Sequence, residues 1–272
     1  MMSRSKGDKD ALEHLYRRLN RRCFVDPDPL LFLYDYPEIH DRELVALVAS
    51  ALAYGRVAQI LKSVSFVLDI LGPSPYAFLM DVSREDLLEA LSGFRHRFST
   101  GEDVAGMLWS ARSIICSCGS LEACFSSGLS HGQDSVLPAL TSFVRSLRAA
   151  RERDGFLLAR PEKGSACKRW HLFLRWMVRQ DDVDPGGWKD VPASMLIVPL
   201  DTHMHRIGLR LGGTRRKQAD AKAAMEVTEM FRRVAPDDPV RYDFSLTRLG
   251  IRPDVDPEEF FSACRGLERR QP

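Results

Sequence analysis

The sequence predicts an all-α fold. Apolar residues recur with helical spacing along nearly the whole chain, beginning with residues 10–23. Glycines mark helix ends, since Gly55 follows the apolar stretch 41–54 and Gly72 follows the stretch 56–71. No alternating pattern of convincing length predicts a strand, and no repeat of fixed period predicts a solenoid.

The later elements are predicted by the same pattern. Residues 27–38 hold three prolines and are expected to cross irregularly between helices. Ser83, followed by acids in the next turn, is typical of a helix N-cap. The remaining helical patterns, in chain order, cover residues 103–118, 135–151, 167–179, 203–211, 220–234, 239–250 and 257–265. A charged stretch after Arg151 and a polar loop at 180–189 separate three of them.

Bulk composition is that of an ordinary globular protein. The chain has 272 residues, 44% of them hydrophobic and 28% charged, which is enough for one large domain with a substantial core. A net charge of +2 makes no global case for nucleic-acid binding. The local distribution makes one, because arginines cluster at 17–22 and basic residues at 206–217.

The cysteines and the opening residues indicate which cofactors and which cellular compartment to expect. None of the six cysteines forms a CxxC pair or an iron–sulfur spacing, so we expect no metal and no cofactor. Cys116 and Cys118 lie in a helical pattern and are expected to be buried. The opening residues lack a secretory apolar region, and the apolar stretch 44–54 is far shorter than the roughly 20 residues of a membrane span. We expect a reduced, cytoplasmic protein without a membrane partner.

Lys168 is the first candidate catalytic residue. It lies near a predicted helix start, next to Arg169 and close to Trp170. Apolar surroundings, a neighbouring cation and a helix N-terminus all favour a neutral, nucleophilic amine. On local sequence alone, an exposed helix-start lysine is the commoner interpretation.

Asp201 is the second candidate. It follows an apolar run and stands where the helix 203–211 begins, so it can cap that helix with its own side chain. Alternatively, it can be a carboxylate held at the floor of a cleft. With Thr202, His203 and Arg206 it surrounds one helix start, which suits a sugar–phosphate ligand.

Two further patterns near Lys168 bear on nucleic-acid binding. Gly164 and Ser165 are small, so backbone N–H groups there can approach a phosphate. Aromatic and basic residues interleave along 167–179, and a base could stack on such residues. One buried aromatic face with one solvated basic face is the favoured interpretation of that helix.

These residues carry a resemblance to a known superfamily. The stretch Leu200-Asp-Thr-His-Met-His-Arg-Ile207 resembles the Asp-Thr-His-x-x-Arg signature of the helix-hairpin-helix base-excision DNA glycosylases. Pro161-x-x-Gly-Ser-x-x-Lys168 is similar to their lysine-bearing hairpin, although the lysine stands two residues later than usual. The long gap between Lys168 and Asp201 is most similar to the archaeal 8-oxoguanine glycosylases. Over most of its length, the chain also looks like an uncharacterised bacterial family, a domain of unknown function.

The resemblance implies a fold and an activity. The fold would be two helical lobes with a central cleft in a single domain over 1–272, with the hairpin and catalytic region at about 155–213. Lys168 would attack the sugar C1′ and Asp201 would be the catalytic carboxylate. Contacts to double-stranded DNA holding a damaged base would come from Gly164, Ser165, Arg169, His203 and Arg206. The expected activity is a DNA N-glycosylase with AP-lyase activity on a damaged purine such as 8-oxoguanine, with the base flipped out of the duplex.

Two alternatives remain open from the sequence. The same phosphate contacts could serve a non-catalytic helix-hairpin-helix DNA-binding protein, whose affinity would fall steeply with salt. The fold could also act on RNA or a nucleotide, although no RNA-recognition signature is present.

Overall fold

The computed structural model describes residues 2–130, 132–149, 156–249 and 256–264, with side chains from residue 8 onward. Within them the chain forms thirteen α-helices and one two-stranded hairpin. The elements are α1 (Met2–Leu19), α2 (Ile39–Ala51), α3 (Val57–Leu71), α4 (Pro75–Asp81), α5 (Arg84–Ala90), β1 (Arg95–His96), β2 (Ser99–Thr100), α6 (Gly101–Cys118), α7 (Leu121–Ser126), α8 (Leu137–Ala149), α9 (Lys168–Val178), α10 (Thr202–Arg210), α11 (Ala221–Arg232), α12 (Asp243–Arg248) and α13 (Pro257–Ala263). Short 3-10 helices cover Arg22–Phe24, Pro29–Asp35, Pro161–Lys163 and Ala193–Met195.

The predicted helical class is confirmed, with one correction. The sequence predicts no strand, yet β1 and β2 pair in an antiparallel hairpin, with Arg95 opposite Thr100. Each strand has two residues, too few to produce an alternating pattern. The turn is made at Arg97, whose φ of 52° lies in the left-handed region that non-glycine residues rarely adopt.

The hairpin runs straight into α6 through a close backbone contact. A Cβ atom added to Gly101, the first residue of α6, would lie 1.8 Å from the carbonyl oxygen of Leu91. Thr100 and Asp103 form a capping box at the same helix start. The hairpin and α6 are therefore fixed to each other and to the end of α5.

Helix α2 runs through the hydrophobic core. Its side chains from Leu44 to Ala51 are buried, and it packs along α9. The buried apolar side chains form one contiguous cluster that extends from Leu12 to Cys264. Helix α2 ends and α9 begins at the surface where the candidate site lies, so the core fixes the positions of its walls.

The predicted solvated basic face of α9 is wrong. The aromatic face is buried as expected, but Arg175 and Arg179 are buried too. The Nε atom of Arg175 lies 3.1 Å from Asp184 Oδ1, and a second nitrogen pairs with Asp243. Arg179 binds Asp184 as well, and it also pairs with Asp181 and Asp238. These partners lie outside α9, so the helical pattern could not show them.

The predicted burial of Cys116 and Cys118 is wrong. Cys116 and Cys118 are exposed rather than buried, because that end of α6 turns them towards solvent.

No single helix in the described part of the chain is long and apolar enough to cross a membrane. The bent pair α3 and α4, which meet at 57°, passes that test together on length and composition alone.

Candidate active site

A cleft of about 680 Å³ opens where several segments distant in the chain meet. One wall includes Ala53 and Tyr54, which follow α2. A second wall is built from residues between 156 and 169, and the third is the approach to α10. The starts of α9 and α10 face each other across this space.

Lys168 and Asp201 meet in the cleft. Lys168 is the first residue of α9 and Asp201 is the N-cap of α10. The Nζ atom of Lys168 lies 2.9 Å from Oδ2 of Asp201, and the two side chains are 35% and 33% exposed. The convergence expected from the sequence is present, and a ligand in the cleft can reach both groups.

The surroundings of Asp201 keep its carboxyl group ionised. Burial alone would raise the pKa of this carboxyl, but the Lys168 ammonium and the backbone N–H of Met204 hold the pKa below its ordinary value of 3.8. The Met204 N–H donates to Oδ1 over 2.8 Å, which is the N-cap hydrogen bond expected from the sequence. One oxygen thus caps the helix while the other faces the amine.

The loop before α9 is anchored on both sides of Gly164. Gly164 has a φ of 76°, and its carbonyl oxygen accepts from the N–H of Ala221 over 3.0 Å. Ser165 pairs with Asp220 in an isolated bridge, and its hydroxyl accepts from the Cys167 N–H. These contacts tie the loop to the start of α11 and fix where α9 begins.

Cys167 completes that loop in an unusual conformation. It is a buried residue with a φ of 47°, in the left-handed region. Such a conformation costs roughly 1–2 kcal/mol for a residue other than glycine. Burial also raises the pKa of the Cys167 thiol, which favours its neutral form. Its strained backbone leads directly into Lys168.

Arg169 joins two walls of the cleft. Its guanidinium donates to the carbonyl oxygen of Ala51 over 2.7 Å and to that of Phe156 over 2.6 Å. It also lies over the rings of Tyr54 and Phe156. Burial lowers the pKa of this guanidinium from its ordinary value. Arg169 lines the cleft as expected, but two of its nitrogens already bind protein carbonyls.

The remaining predicted DNA contacts divide into two groups. Ser165 lines the cleft and is exposed. Gly164, His203 and Arg206 lie outside the cleft lining, and the N–H of Gly164 donates to the carbonyl oxygen of Pro161. Arg206 is exposed on α10, while His203 is partly buried. Contacts from these three residues to DNA stay predictions.

The sequence did not identify most of the basic lining. Arg148, Arg160 and Lys163 line the cleft together with Lys168 and Arg169, and Asp201 is the one acidic residue among the described lining residues. Lys163 directly precedes the Gly164–Ser165 pair and could have been noticed. The other two flank a charged stretch without a motif. The cleft is thus far more basic than the chain, whose net charge is +2.

No metal site accompanies this pair in the part of the chain that the structure describes. No group of three or more histidine, cysteine, aspartate or glutamate side chains there could hold a metal ion.

A protein-family model described as "Protein of unknown function (DUF2400)" matches residues 28–252. Neither the comparison with curated proteins nor the comparison with solved structures gives a match. The match therefore carries no activity over to the cleft, and the resemblance to DNA glycosylases is not accompanied by a matching glycosylase.

Proposed function

The chain belongs to the DUF2400 family, and we propose from the geometry of its cleft that the protein is a DNA N-glycosylase with AP-lyase activity. The observation that carries the proposal is the 2.9 Å approach of Lys168 Nζ to Asp201 Oδ2 at two facing helix starts. An amine beside an ionised carboxylate, inside a basic cleft, fits attack on a sugar next to a phosphate backbone. We propose further that the base removed is a damaged purine such as 8-oxoguanine and that the protein is cytoplasmic.

Lys168 would act as the nucleophile. A bond forms from its Nζ atom to the sugar C1′ while the bond from C1′ to the base nitrogen breaks. The proton lost from the attacking nitrogen neutralises the departing base. The C1′–O4′ bond then breaks and O4′ takes a proton, which gives a protonated imine between Lys168 and C1′. A C2′ proton is then lost to water while the bond from C3′ to the 3′ phosphate breaks, and this β-elimination cuts the strand.

Asp201 would stabilise the transition state of this reaction. Its carboxylate would stabilise the positive charge that develops on the sugar as the base leaves. The Lys168 ammonium would lose its proton to water when the amine is freed for attack, so Asp201 stays ionised, as its lowered pKa favours. Because the pair is partly exposed, an incoming sugar can displace Lys168 from the ion pair without opening the core.

The basic lining supplies the electrostatic attraction to DNA. Arg148, Arg160 and Lys163 line the cleft with exposed or partly exposed side chains. Phosphate neutralisation by such residues supplies most sequence-independent affinity and makes it fall with salt. A cleft of about 680 Å³ is also of the size that holds a single flipped base.

Borohydride trapping tests the proposal directly. Purified protein is mixed with duplexes holding 8-oxoguanine, uracil or an abasic site, then reduced, so that an imine becomes a permanent cross-link visible on a denaturing gel. We expect trapping with wild type and none with Lys168→Arg, which keeps a cation beside Asp201 but cannot form the imine. Lys163→Arg is the matched control, because Lys163 lines the same cleft, and it should trap like wild type.

Two results would contradict the proposal. If wild type cross-links no better than Lys168→Arg on every duplex, the proposed lyase activity is contradicted. A cross-link mapped by peptide analysis to Lys163 rather than Lys168 would move the nucleophile. Either result leaves the fold and the ion pair intact but assigns the pair another role.

A non-catalytic DNA-binding protein is the second candidate, and one observation favours it. Both oxygens of Asp201 already have structural partners, Met204 N–H and Lys168 Nζ. In that case Asp201→Asn would keep salt-dependent affinity for duplex DNA, and no base or strand would be cut on any lesion. Measured turnover on one lesion would exclude this candidate.

A further inference from the structure

An aromatic strip leads out of the cleft. Tyr54 and Phe156 line the cleft, with ring centroids 4.9 Å apart. Phe98 follows, with its ring centroid 5.7 Å from that of Phe156. Phe98 is 69% exposed and Phe156 is 49% exposed, although both are large apolar side chains. We call these three residues the aromatic strip.

Hydrogen bonds hold Tyr54 and the hairpin that carries Phe98 against each other. The hydroxyl of Tyr54 donates to the carbonyl oxygen of His96 over 2.9 Å and lies 2.8 Å from the hydroxyl of Ser99. The His96 ring is fully buried, and its two nitrogens contact the Tyr54 carbonyl oxygen and the Ser63 hydroxyl. The hairpin that carries Phe98 is thus fastened on both sides of its turn.

Although its hairpin is held in place, most of the Phe98 side chain is exposed to solvent. It stands beside the turn residue Arg97, whose side chain lies over Gly55, where an added Cβ atom would be 3.0 Å from it. A solvent-exposed phenylalanine on a fixed hairpin gains little from burial. An ordered aromatic ring of this kind, with few rotatable bonds, is typical of a binding surface.

Cations lie beside the rings of the strip. The Arg97 guanidinium is 5.4 Å from the centroid of Phe98, and that of Arg169 is 4.7 Å from the centroid of Phe156. Aromatic faces flanked by arginines match a flat, electron-rich ring attached to a phosphate chain. An apolar protein surface would gain nothing from the two guanidinium groups or from the basic cleft that the strip joins.

We propose that the aromatic strip is a stacking site for one unpaired nucleobase of the bound DNA, next to the Lys168–Asp201 pair. The inference rests on the proposed function, because it takes DNA as the ligand of the cleft. It adds a specificity: the strip recognises a base that has left its stack, and it does so by ring contact rather than by base-edge hydrogen bonds. The strip would therefore tolerate all four bases.

Binding to matched duplexes tests the inference. Two labelled duplexes are compared by fluorescence anisotropy, one with a single unpaired adenine and one with a tetrahydrofuran residue at that position. Wild type should bind the adenine duplex more tightly. Phe98→Ala and Phe156→Ala should weaken binding to it by roughly 5- to 150-fold, the range for loss of one base–aromatic stack. Their affinity for the tetrahydrofuran duplex should change by less than about 2-fold.

Two control variants and one measurement of folding accompany this test. Phe98→Tyr keeps the ring and should bind like wild type. Phe66→Ala removes another exposed phenylalanine, which is 41% exposed and contacts Phe94 outside the strip, and it should also bind like wild type. Circular dichroism of Phe98→Ala should match wild type, because the side chain is mostly exposed.

The outcomes separate the strip from the proposed function. If wild type prefers the adenine duplex and Phe98→Ala and Phe156→Ala keep that preference, the strip is not the stacking site, while DNA as the ligand still holds. If wild type binds neither duplex, the DNA-directed function fails and the inference fails with it. If wild type is a dimer that Phe98→Ala dissociates, with DNA affinity unchanged, a second copy of the chain occupies the strip and the inference is overturned.

Discussion

The two ends of helix α9 use basic residues in opposite ways. At its start, Lys168 forms one ion pair with Asp201, and both side chains are about a third exposed. In its second half and just after its last residue, Arg175 and Arg179 are buried and pair with carboxylates from three other segments. Burial and the number of partners, not the sign of the charge, separate a group that can react from groups that hold the fold. A buried pair cannot release its charge without a large loss, whereas a partly exposed pair can.

The strongest test of this contrast is the stability of Arg175→Met. Removing the guanidinium leaves Asp243 without its cationic partner in the core, so the free energy of unfolding should fall by roughly 3–5 kcal/mol. Urea denaturation followed by circular dichroism measures it. Lys168→Met is the matched control and should lose about 1 kcal/mol or less. Equal losses in the two variants would abolish the distinction between the two ends.

The second test asks whether Asp201 has a chemical role beyond capping α10. Asp201→Asn should lower the rate of borohydride trapping by about 10²–10³-fold, because the charge that faces the developing sugar cation is lost. Stability should fall by about 1 kcal/mol, since asparagine still caps a helix.

Asp220→Asn is the control for that test. Asp220 caps α11 through the Ala223 N–H and pairs with Arg216, much as Asp201 caps α10 and pairs with Lys168. It does not line the cleft. Its trapping rate should equal that of wild type. An equal loss of trapping rate in both variants would show that Asp201 acts only as a capping residue.

The third test concerns the loop that positions the reactive end of α9. Gly164→Ala should lower the free energy of unfolding by about 1–2 kcal/mol, because alanine disfavours the left-handed φ of 76°. The added methyl group meets no atom within 4 Å, so strain is its only internal effect. Gly93→Ala, also in open space but without a left-handed φ, should change stability by less than about 0.5 kcal/mol.

DNA affinity of the Gly164→Ala variant tests the predicted phosphate contact. A phosphate held close to Gly164 would collide with the new methyl group, so duplex affinity should fall several-fold while Gly93→Ala binds normally. An unchanged affinity would place the phosphate elsewhere along the loop.

The smallest effect is the acid dependence of the Lys168–Asp201 pair. The pKa of Asp201 is lowered in the folded protein, so below about pH 4 the unfolded chain binds more protons and the stability from this group is lost. The difference in unfolding free energy between wild type and Asp201→Asn should be constant from about pH 7 to pH 5. It should shrink as the pH falls through about 4, and a difference that grew instead would contradict the lowered pKa.

The helix starts and their capping could be predicted because the signals are local. Asp201 follows an apolar run and precedes a helical pattern, and its side chain does cap α10. The start of α9 at Lys168 was predicted within one residue, because the helical pattern begins at residue 167. Such signals depend on neighbours in the chain, which a single sequence displays in full.

The buried charges and the aromatic strip could not be predicted because their partners are distant. Asp184 and Asp243 come from a loop and from α12, so Arg175 has the pattern of a solvated residue when α9 is considered alone. Tyr54, Phe98 and Phe156 come from three segments that no periodicity connects. Only the packing of α2, the hairpin and the loop before α9 brings these rings into line.

The hairpin that carries Phe98 continues directly into α6, and Thr100 and Asp103 form the capping box at that junction. The hairpin can therefore tilt only together with the start of α6. For the DNA ligand proposed above, the deformation needed for a close fit would then fall on the duplex. Sites that bend and open easily, such as mismatches and pyrimidine–purine steps, would be engaged before stiff A-tracts, whatever base they hold.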